Sequence, residues 1–175
     1  PAKGWGIGMR IAVLGGGPGG LYFATLWKLR HPSDHVQVIE QNPADATWGF
    51  GVVFSDKALD FLRADDPGTV DLITPHMEHW RDIALVLRGE RMAIDGIGFS
   101  AIGRLELLTL LLQRAHDAGV VLTHNLTMHA LAELDGADII IGADGLNSLV
   151  RRSHEAEFGA SMGYLDNKFA WFGTT

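Results

Sequence analysis

The chain has 175 residues, 47% of them hydrophobic, enough for one ordinary domain with a core of its own. Its formal charge of −7 argues against nonspecific attraction to nucleic acid or anionic membrane, and the lack of cysteine excludes disulfides, thiolate metal sites and a cysteine nucleophile. No window nears the roughly 18 consecutive apolar residues of a membrane-spanning helix, and no secretory signal precedes Met9, so a cytoplasmic location is the expectation.

Residues 1–8, "PAKGWGIG", have no periodicity and read as an extension outside the fold. Arg10 to Leu14 form a β-branched, apolar strand, followed by a glycine turn and a helix predicted from about Gly19 to Leu29, which Pro32 ends. "HVQVIE", residues 35–40, alternates as a second strand and completes a unit of the size of a parallel βαβ crossover. "NPADATWGFGVVFS" reads as a glycine and aromatic loop, and "DKALDFLRA" as a short amphipathic helix. "IALVLRGERMAI" reads as two antiparallel strands around a turn at Arg88, Gly89 and Glu90. Residues 104–119, "RLELLTLLLQRAHDAG", are apolar on more than one face and predict a buried helix capped by Gly119. "VVLTH" is a strand, and the Ile139–Ile141 run suits a parallel strand covered on both faces. "KFAWFGTT" stops on what reads as mid-strand, as in a piece of a longer polypeptide.

Gly15, Gly17 and Gly20 satisfy G-x-G-x-x-G after a strand and at the opening of a helix. In that pattern Gly15 allows the tight turn, Gly17 lets a pyrophosphate approach the backbone, and Gly20 lets the helix pack closely on the strand. The helix N-terminus supplies N–H groups and a partial positive charge, and Pro18 and Gly19 at its start are counted with the site. Glu40, twenty residues after Gly20, is placed to accept from a ribose hydroxyl pair, and its charge disfavours a 2′-phosphate. The competing reading is a glycine-rich connection that binds nothing, with Glu40 a solvated strand end.

"GADGLNSLVRR", residues 142–152, resembles the D-G signature G-A-D-G-x-x-S-x-x-R of the flavoprotein aromatic hydroxylases, with Asp144, Gly145, Ser148 and Arg151 at the matching positions. Arg104, ahead of the leucine-rich helix, matches an arginine that the same family places near the FAD phosphates, a role suited to a guanidinium's rigidly spaced donors. With the glycine turn, three segments in the family's order cover nearly the whole chain from Arg10 onward. The chain therefore resembles the N-terminal part of a class A FAD-dependent aromatic monooxygenase. "VIEQNPADATWGFGVVFSDKALDFL" and "WFGTT" are most similar to family members that act on aromatic coenzyme A thioesters. Gln41 follows Glu40 where many members carry a basic residue, which leaves the adenosine-side contacts open.

The resemblance implies an α/β fold: a Rossmann-like FAD-binding domain of the GR2 type with antiparallel strands of an incomplete substrate domain. Residues 9–70 are expected to supply the FAD-binding βαβ part and 71–103 the antiparallel strands. Residues 104–155 would return to the FAD-binding part with the D-G motif, and 156–175 would begin the truncated substrate domain. The implied cofactor is FAD, with Gly15, Gly17, Pro18, Gly19, Gly20, Glu40, Gln41, Arg104, Asp144 and Gly145 around it. NAD(P)H is the implied co-substrate, and the activity is hydroxylation of an aromatic small molecule with O2. A homodimer is an open expectation.

No catalytic base is assigned, and the family's G-D motif is absent, so incomplete FAD retention is expected. The loop of Trp48, Gly49, Phe50 and Gly51 is the candidate for flavin-ring proximity, set against plain core packing. Asp144 and Gly145 make a sharp turn that Arg151 could anchor through an ion pair. His76 and His79 have helical spacing but lack a third metal ligand, so a surface pair is the better reading and no metal is expected. Ser55 and Asp56 lack a histidine partner for a hydrolase triad, Arg151 and Arg152 are too few for a nucleic-acid patch, and Trp48, Trp80 and Trp171 taken singly read as core. The alternatives carried forward are an NAD-dependent dehydrogenase and a dinucleotide-binding module without turnover.

Overall fold

The structure, a computed structural model, describes residues 8–47, 49–168 and 170. The expectations for most of the leading extension, for Trp48 and Trp171 and for the "WFGTT" stretch therefore fall outside the described residues.

Strand β1 (Arg10–Leu14) runs into helix α1 (Pro18–Arg30), which returns the chain to β2 (His35–Ile39). β1 and β2 pair in parallel, with Ile11 beside Val36 and Val13 beside Val38, all buried. Asp34 ties the return in place by accepting from the Met9 N–H at 3.0 Å and from the Trp27 indole at 2.9 Å. The chain then enters β3 (Gly51–Ser55) and α2 (Asp56–Asp65), whose N-terminus is capped by the Ser55 hydroxyl. α3 (Pro67–Ile73) and a short 3₁₀ turn (Thr74–His76) lead to β4 (Glu78–Trp80), β5 (Ile83–Leu87), β6 (Glu90–Ile94) and β7 (Phe99–Gly103). α4 (Arg104–Asp117), β8 (Val121–Thr123), β9 (Ile139–Gly142), α5 (Leu149–Ser153) and α6 (Glu155–Phe158) complete the described elements.

Among the described residues the principal sheet is parallel throughout, in the order β8-β2-β1-β9. α1 and α4 pack against one another, and their Leu21, Ala24, Leu107, Leu108, Leu111 and Ala115 share the core with Ile11, Val13, Val36 and Val38. α4 stops at a full Schellman motif: Gly119 adopts φ +89°, its N–H donates to His116 at 2.9 Å, and the Val120 N–H donates to Ala115 at 3.0 Å. The predicted glycine cap is there.

Three local readings need correction. Residues 51–55 are not loop: they form β3, antiparallel to β7, with Val52 and Phe54 packed on the core, because pairing to Phe99–Gly103 nearly fifty residues away outweighs the glycine content. β9 pairs in parallel with β1 as expected and is an edge strand among the described residues, but its isoleucines are only partly buried, short of the full cover expected on both faces. His76 and His79 do not share a helix; one ends the 3₁₀ turn and the other lies on β4.

The antiparallel strands form two further sheets, β3-β7-β4 and the hairpin β5-β6. The hairpin turns at Arg88 and Gly89, both at positive φ (53° and 86°), as the I′ turn of a two-residue connection demands. Leu85, Leu87 and Met92 on one side of it stay exposed.

Asp66 joins three helices. It caps α3, accepting from the Gly68 N–H at 3.1 Å and the Thr69 hydroxyl at 2.6 Å, and receives the Arg114 guanidinium of α4 at 2.9 Å. Burial works to raise its pKa, but the bonds from Arg114 and Thr69 outweigh burial and hold the carboxyl below its usual range. The pair thus contributes stability that is present above the unfolded carboxylate pKa and is lost as pH falls through the depressed folded value. Arg114→Met leaves that charge buried without its cation and is expected to cost about 3 kcal/mol in urea unfolding at neutral pH. Adding Asp66→Asn to it should recover part of the loss and flatten the acid limb.

Candidate functional site

The site is built where the parallel strands end. β1, β2, β8 and β9 deliver Gly15–Gly17, Glu40, His124 and Asp144 to one edge of the sheet, the carboxyl edge at which open α/β sheets bind ligands. The glycines there answer to different demands. Gly15 has φ +100°, and a Cβ on it would lie 2.2 Å from the Ala143 carbonyl oxygen and 2.9 Å from the Asp144 Cα. A Cβ on Gly20 would meet the Gly15 carbonyl oxygen at 2.0 Å, so strand, turn and helix fit together only without side chains here.

Gly17 and Gly19 differ from these. A Cβ on either would have nothing within 4 Å, and Gly17 has an ordinary φ of −71°. Nothing in the chain itself demands glycine at these positions. The open space lies over the first turn of α1, which has no side-chain cap and no acidic residue, so its backbone N–H groups and dipole face that space.

Glu40 closes one side of this cradle. Its Oε2 accepts from the Gly16 N–H at 2.7 Å, while Oε1 accepts from the Asn42 N–H at 2.8 Å and the Asn42 amide at 2.7 Å. Three of about four acceptor positions are used within the chain, leaving one on Oε2. Glu40, Asn42, Gly16 and Gly17 border a cavity of about 90 Å³ that also reaches Arg104 and His124. Gln41 is exposed and does not border it.

Arg104 opens α4, where its N–H is held by the Phe50 carbonyl at 3.2 Å. Its side chain and Thr47 border both the small cavity and a second one of about 740 Å³, lined also by Gly49, Phe50, Leu105 and Leu110. Two of the four flavin-loop candidates, Gly49 and Phe50, therefore reach a cavity wall, and Trp48 lies outside the described residues. Thr47 and Asn42 escaped the sequence reading because neither stands in a motif; proximity to the strand-end acid was their only signal.

Asp144 follows β9. Its Oδ2 accepts from the Leu149 N–H at 2.5 Å, Gly145 takes φ +75°, and the Ser148 hydroxyl caps α5 through the Arg151 N–H at 3.0 Å. Arg151 does not anchor this turn by an ion pair; its guanidinium donates to the carbonyls of Gly145 and Leu146. Those carbonyls lie within the turn, so the arginine braces the backbone directly.

Among the described residues, three buried side-chain atoms find no partner: Thr47 Oγ1, Arg104 Nε and Asp144 Oδ1. Each buried group left unpaired costs about 1–3 kcal/mol. All three belong to residues at the cavities or the glycine turn. A guanidinium donor and free helix N–H groups suit phosphate oxygens, and the carboxylates of Glu40 and Asp144 suit hydroxyl donors. The residues present thus fit a dinucleotide. Among the described residues no cluster of three metal-binding side chains occurs, and no helix is long and apolar enough to cross a membrane.

Comparison with known proteins gives the same direction. The chain is 43% identical to a salicyloyl-CoA 5-hydroxylase from a Streptomyces species over 95% of its own length and 32% of that protein's. It is 30% identical to a 3-hydroxy-4-methyl-anthranilyl-[aryl-carrier protein] 5-monooxygenase of Streptosporangium sibiricum, over 94% of its own length and 46% of the relative's. Among solved structures, the tetrameric form of 2-methyl-3-hydroxypyridine-5-carboxylic acid oxygenase matches with a TM-score of 0.73 and 25% identity, covering 85% of this chain and 42% of that one. A mutant of Pseudomonas aeruginosa PqsL shares the fold, with a TM-score of 0.70 at 17% identity, over 92% of this chain and 48% of that one. No family model matches the chain.

Over nearly its whole length the chain is similar to proteins named as hydroxylases and monooxygenases of aromatic substrates, the class that its motifs resemble. Within them it is similar to the salicyloyl-CoA hydroxylase, and it spans a third to a half of the length of the curated relatives described above.

Proposed function

We propose that the chain is the FAD-binding portion of an enzyme that hydroxylates an aromatic ring with NAD(P)H and dioxygen. The observation that carries this is the buried Nε of Arg104, without a partner among the described residues, bordering a cradle of helix N–H groups and glycines that leave room where the chain needs none. In this reading the first turn of α1 and Arg104 hold the pyrophosphate, Glu40 accepts from the adenosine ribose, and Asp144 and Gly145 hold the turn beside it. Pro18 presets the helical φ that points the N–H groups at the phosphates. Bound there, FAD would supply electron transfer from the pyridine nucleotide and the activation of dioxygen, from which the inserted oxygen atom comes. Gly49 and Phe50 exclude water from the neighbouring cavity.

The salicyloyl-CoA hydroxylase and the hydroxypyridine oxygenase are both named for rings that bear a hydroxyl, and the first for a coenzyme A thioester. We carry over that substrate class: a hydroxylated aromatic acid bound as a thioester. The reading includes a GR2-type assignment, a cytoplasmic location and a homodimer. It also takes β4 to β7 as the start of a substrate domain, whose further strands would cover the exposed side of the β5-β6 hairpin.

Titrating the chain with FAD, NAD and NADP tests the cradle, with quenching of flavin fluorescence as the readout and the other nucleotides as competitors. FAD is expected to bind and NADP to compete poorly, because its 2′-phosphate meets the Glu40 carboxylate. Binding of NAD without FAD would transfer the chain to the dehydrogenases. The whole protein is expected to purify yellow and to oxidise NAD(P)H when given an aromatic coenzyme A thioester; stable FAD binding without that stimulation would leave only a nucleotide-binding module.

A further inference from the structure

The larger cavity contains a pair of titratable groups that dinucleotide binding does not use. His76, the last residue of the 3₁₀ turn, and Glu106, in the first turn of α4, both border it, and Nδ1 of the imidazole lies 2.6 Å from Oε1 of the carboxylate. The remaining walls include the apolar Phe50, Leu105 and Leu110 and the cation Arg104. We propose that His76 takes the proton from the ring hydroxyl of a phenolic substrate in this cavity, with Glu106 as its positioning residue. This rests on the hydroxyl-bearing substrate class proposed above.

The chemistry follows from the shared hydrogen bond. A carboxylate accepts, so the 2.6 Å contact places a proton on Nδ1, and in the neutral imidazole Nε2 then carries the lone pair. When a phenol binds, its O–H bond breaks, the proton goes to Nε2 and the electron pair stays on oxygen. The new imidazolium keeps its Nδ1–H on Glu106, which stabilises the charge. A phenolate directs electron density into its ring and prepares it for an electrophilic oxygen. His76 and Glu106 are 42% and 49% exposed, so the proton can pass on to water. Thirty residues and four strands separate the pair in sequence, and no spacing could have announced it.

The test uses this chain at pH 7, with and without FAD, and salicylamide as the probe. It is a neutral mimic of a salicyl thioester whose phenol and phenolate differ in ultraviolet absorption. Binding is measured in parallel by equilibrium dialysis. The expected result is a saturable rise of the phenolate band, abolished in His76→Gln and reduced at least fivefold in Glu106→Gln, while both variants still bind the probe and keep the circular dichroism of the parent. Failure of the probe to bind, binding without ionisation, or an unchanged band in His76→Gln would each overturn the assignment. FAD titration separates the two readings. FAD binding without a phenolate band removes the role of His76 alone, and a band that appears although FAD does not bind removes the flavin reading alone.

Discussion

Gly17→Ala is expected to leave folding nearly untouched and to weaken FAD binding at least tenfold, whereas Gly20→Ala damages folding itself. A Cβ at Gly17 has nothing within 4 Å, so the folded chain accommodates it, and poorer helix capping changes stability by at most about 1 kcal/mol. That same Cβ occupies the space into which a pyrophosphate must descend to reach the N–H groups of α1. A tenfold loss corresponds to about 1.4 kcal/mol, which misplacing one good phosphate contact would supply. At Gly20 the obstacle is the Gly15 carbonyl oxygen at 2.0 Å, a backbone atom that cannot rotate aside. Overpacking of this kind costs about 1–3 kcal/mol, and the strand, turn and helix must all shift to relieve it. Thermal unfolding and flavin fluorescence, measured on both variants, separate the effects. If Gly17→Ala binds FAD as the parent does, the cradle does not hold the pyrophosphate.

Arg104→Met should lower FAD affinity about tenfold to a hundredfold, because a hydrogen bond to a charged group contributes about 1.5–3 kcal/mol. Stability should hold or rise slightly, since Nε is buried without a partner among the described residues and its loss removes an uncompensated desolvation. Arg104→Lys should not restore binding: an ammonium is a point charge and cannot reproduce the guanidinium's fixed donor geometry. The two readouts move in opposite directions. A purely structural arginine would lose stability instead, and calorimetric unfolding beside the FAD titration distinguishes these outcomes.

The parallel unit was legible in the sequence because its signals are local and mutually consistent. Apolar runs at 10–14 and 35–39, glycines at 15, 17 and 20, Pro32 beyond the helix and an acid at position 40 each act within a few residues of where they stand. The Gly119 cap and the Arg88-Gly89 turn were readable for the same reason, since each depends on one or two backbone angles that the residue itself permits. β3 was not legible. Its glycines suggested a loop, and the partner that makes it a strand, Phe99–Gly103, lies far along the chain. Nor was the edge position of β9, because three consecutive isoleucines look alike whether one neighbour or two will pair with them.

At the site the division is similar. Asp144 was identified by its motif, but the unpartnered Oδ1 beside the glycine turn is a product of packing, as is the bracing of that turn by Arg151 through carbonyls. Glu40 was found by its distance from Gly20, yet the sequence could not show that three of its acceptor positions are taken by Gly16 and Asn42.

The amino-acid sequence by itself determined the βαβ unit, the glycine turn with its acid and the resemblance to the flavoprotein hydroxylases, since backbone permission, periodicity and motif spacing are properties of neighbouring residues. Tertiary structure alone decided which groups meet. Arg104 reaches two cavities, His76 finds Glu106, and Asp66 finds Arg114 because parallel pairing and the packing of α4 bring distant segments within hydrogen-bond range, a distance that no local pattern encodes.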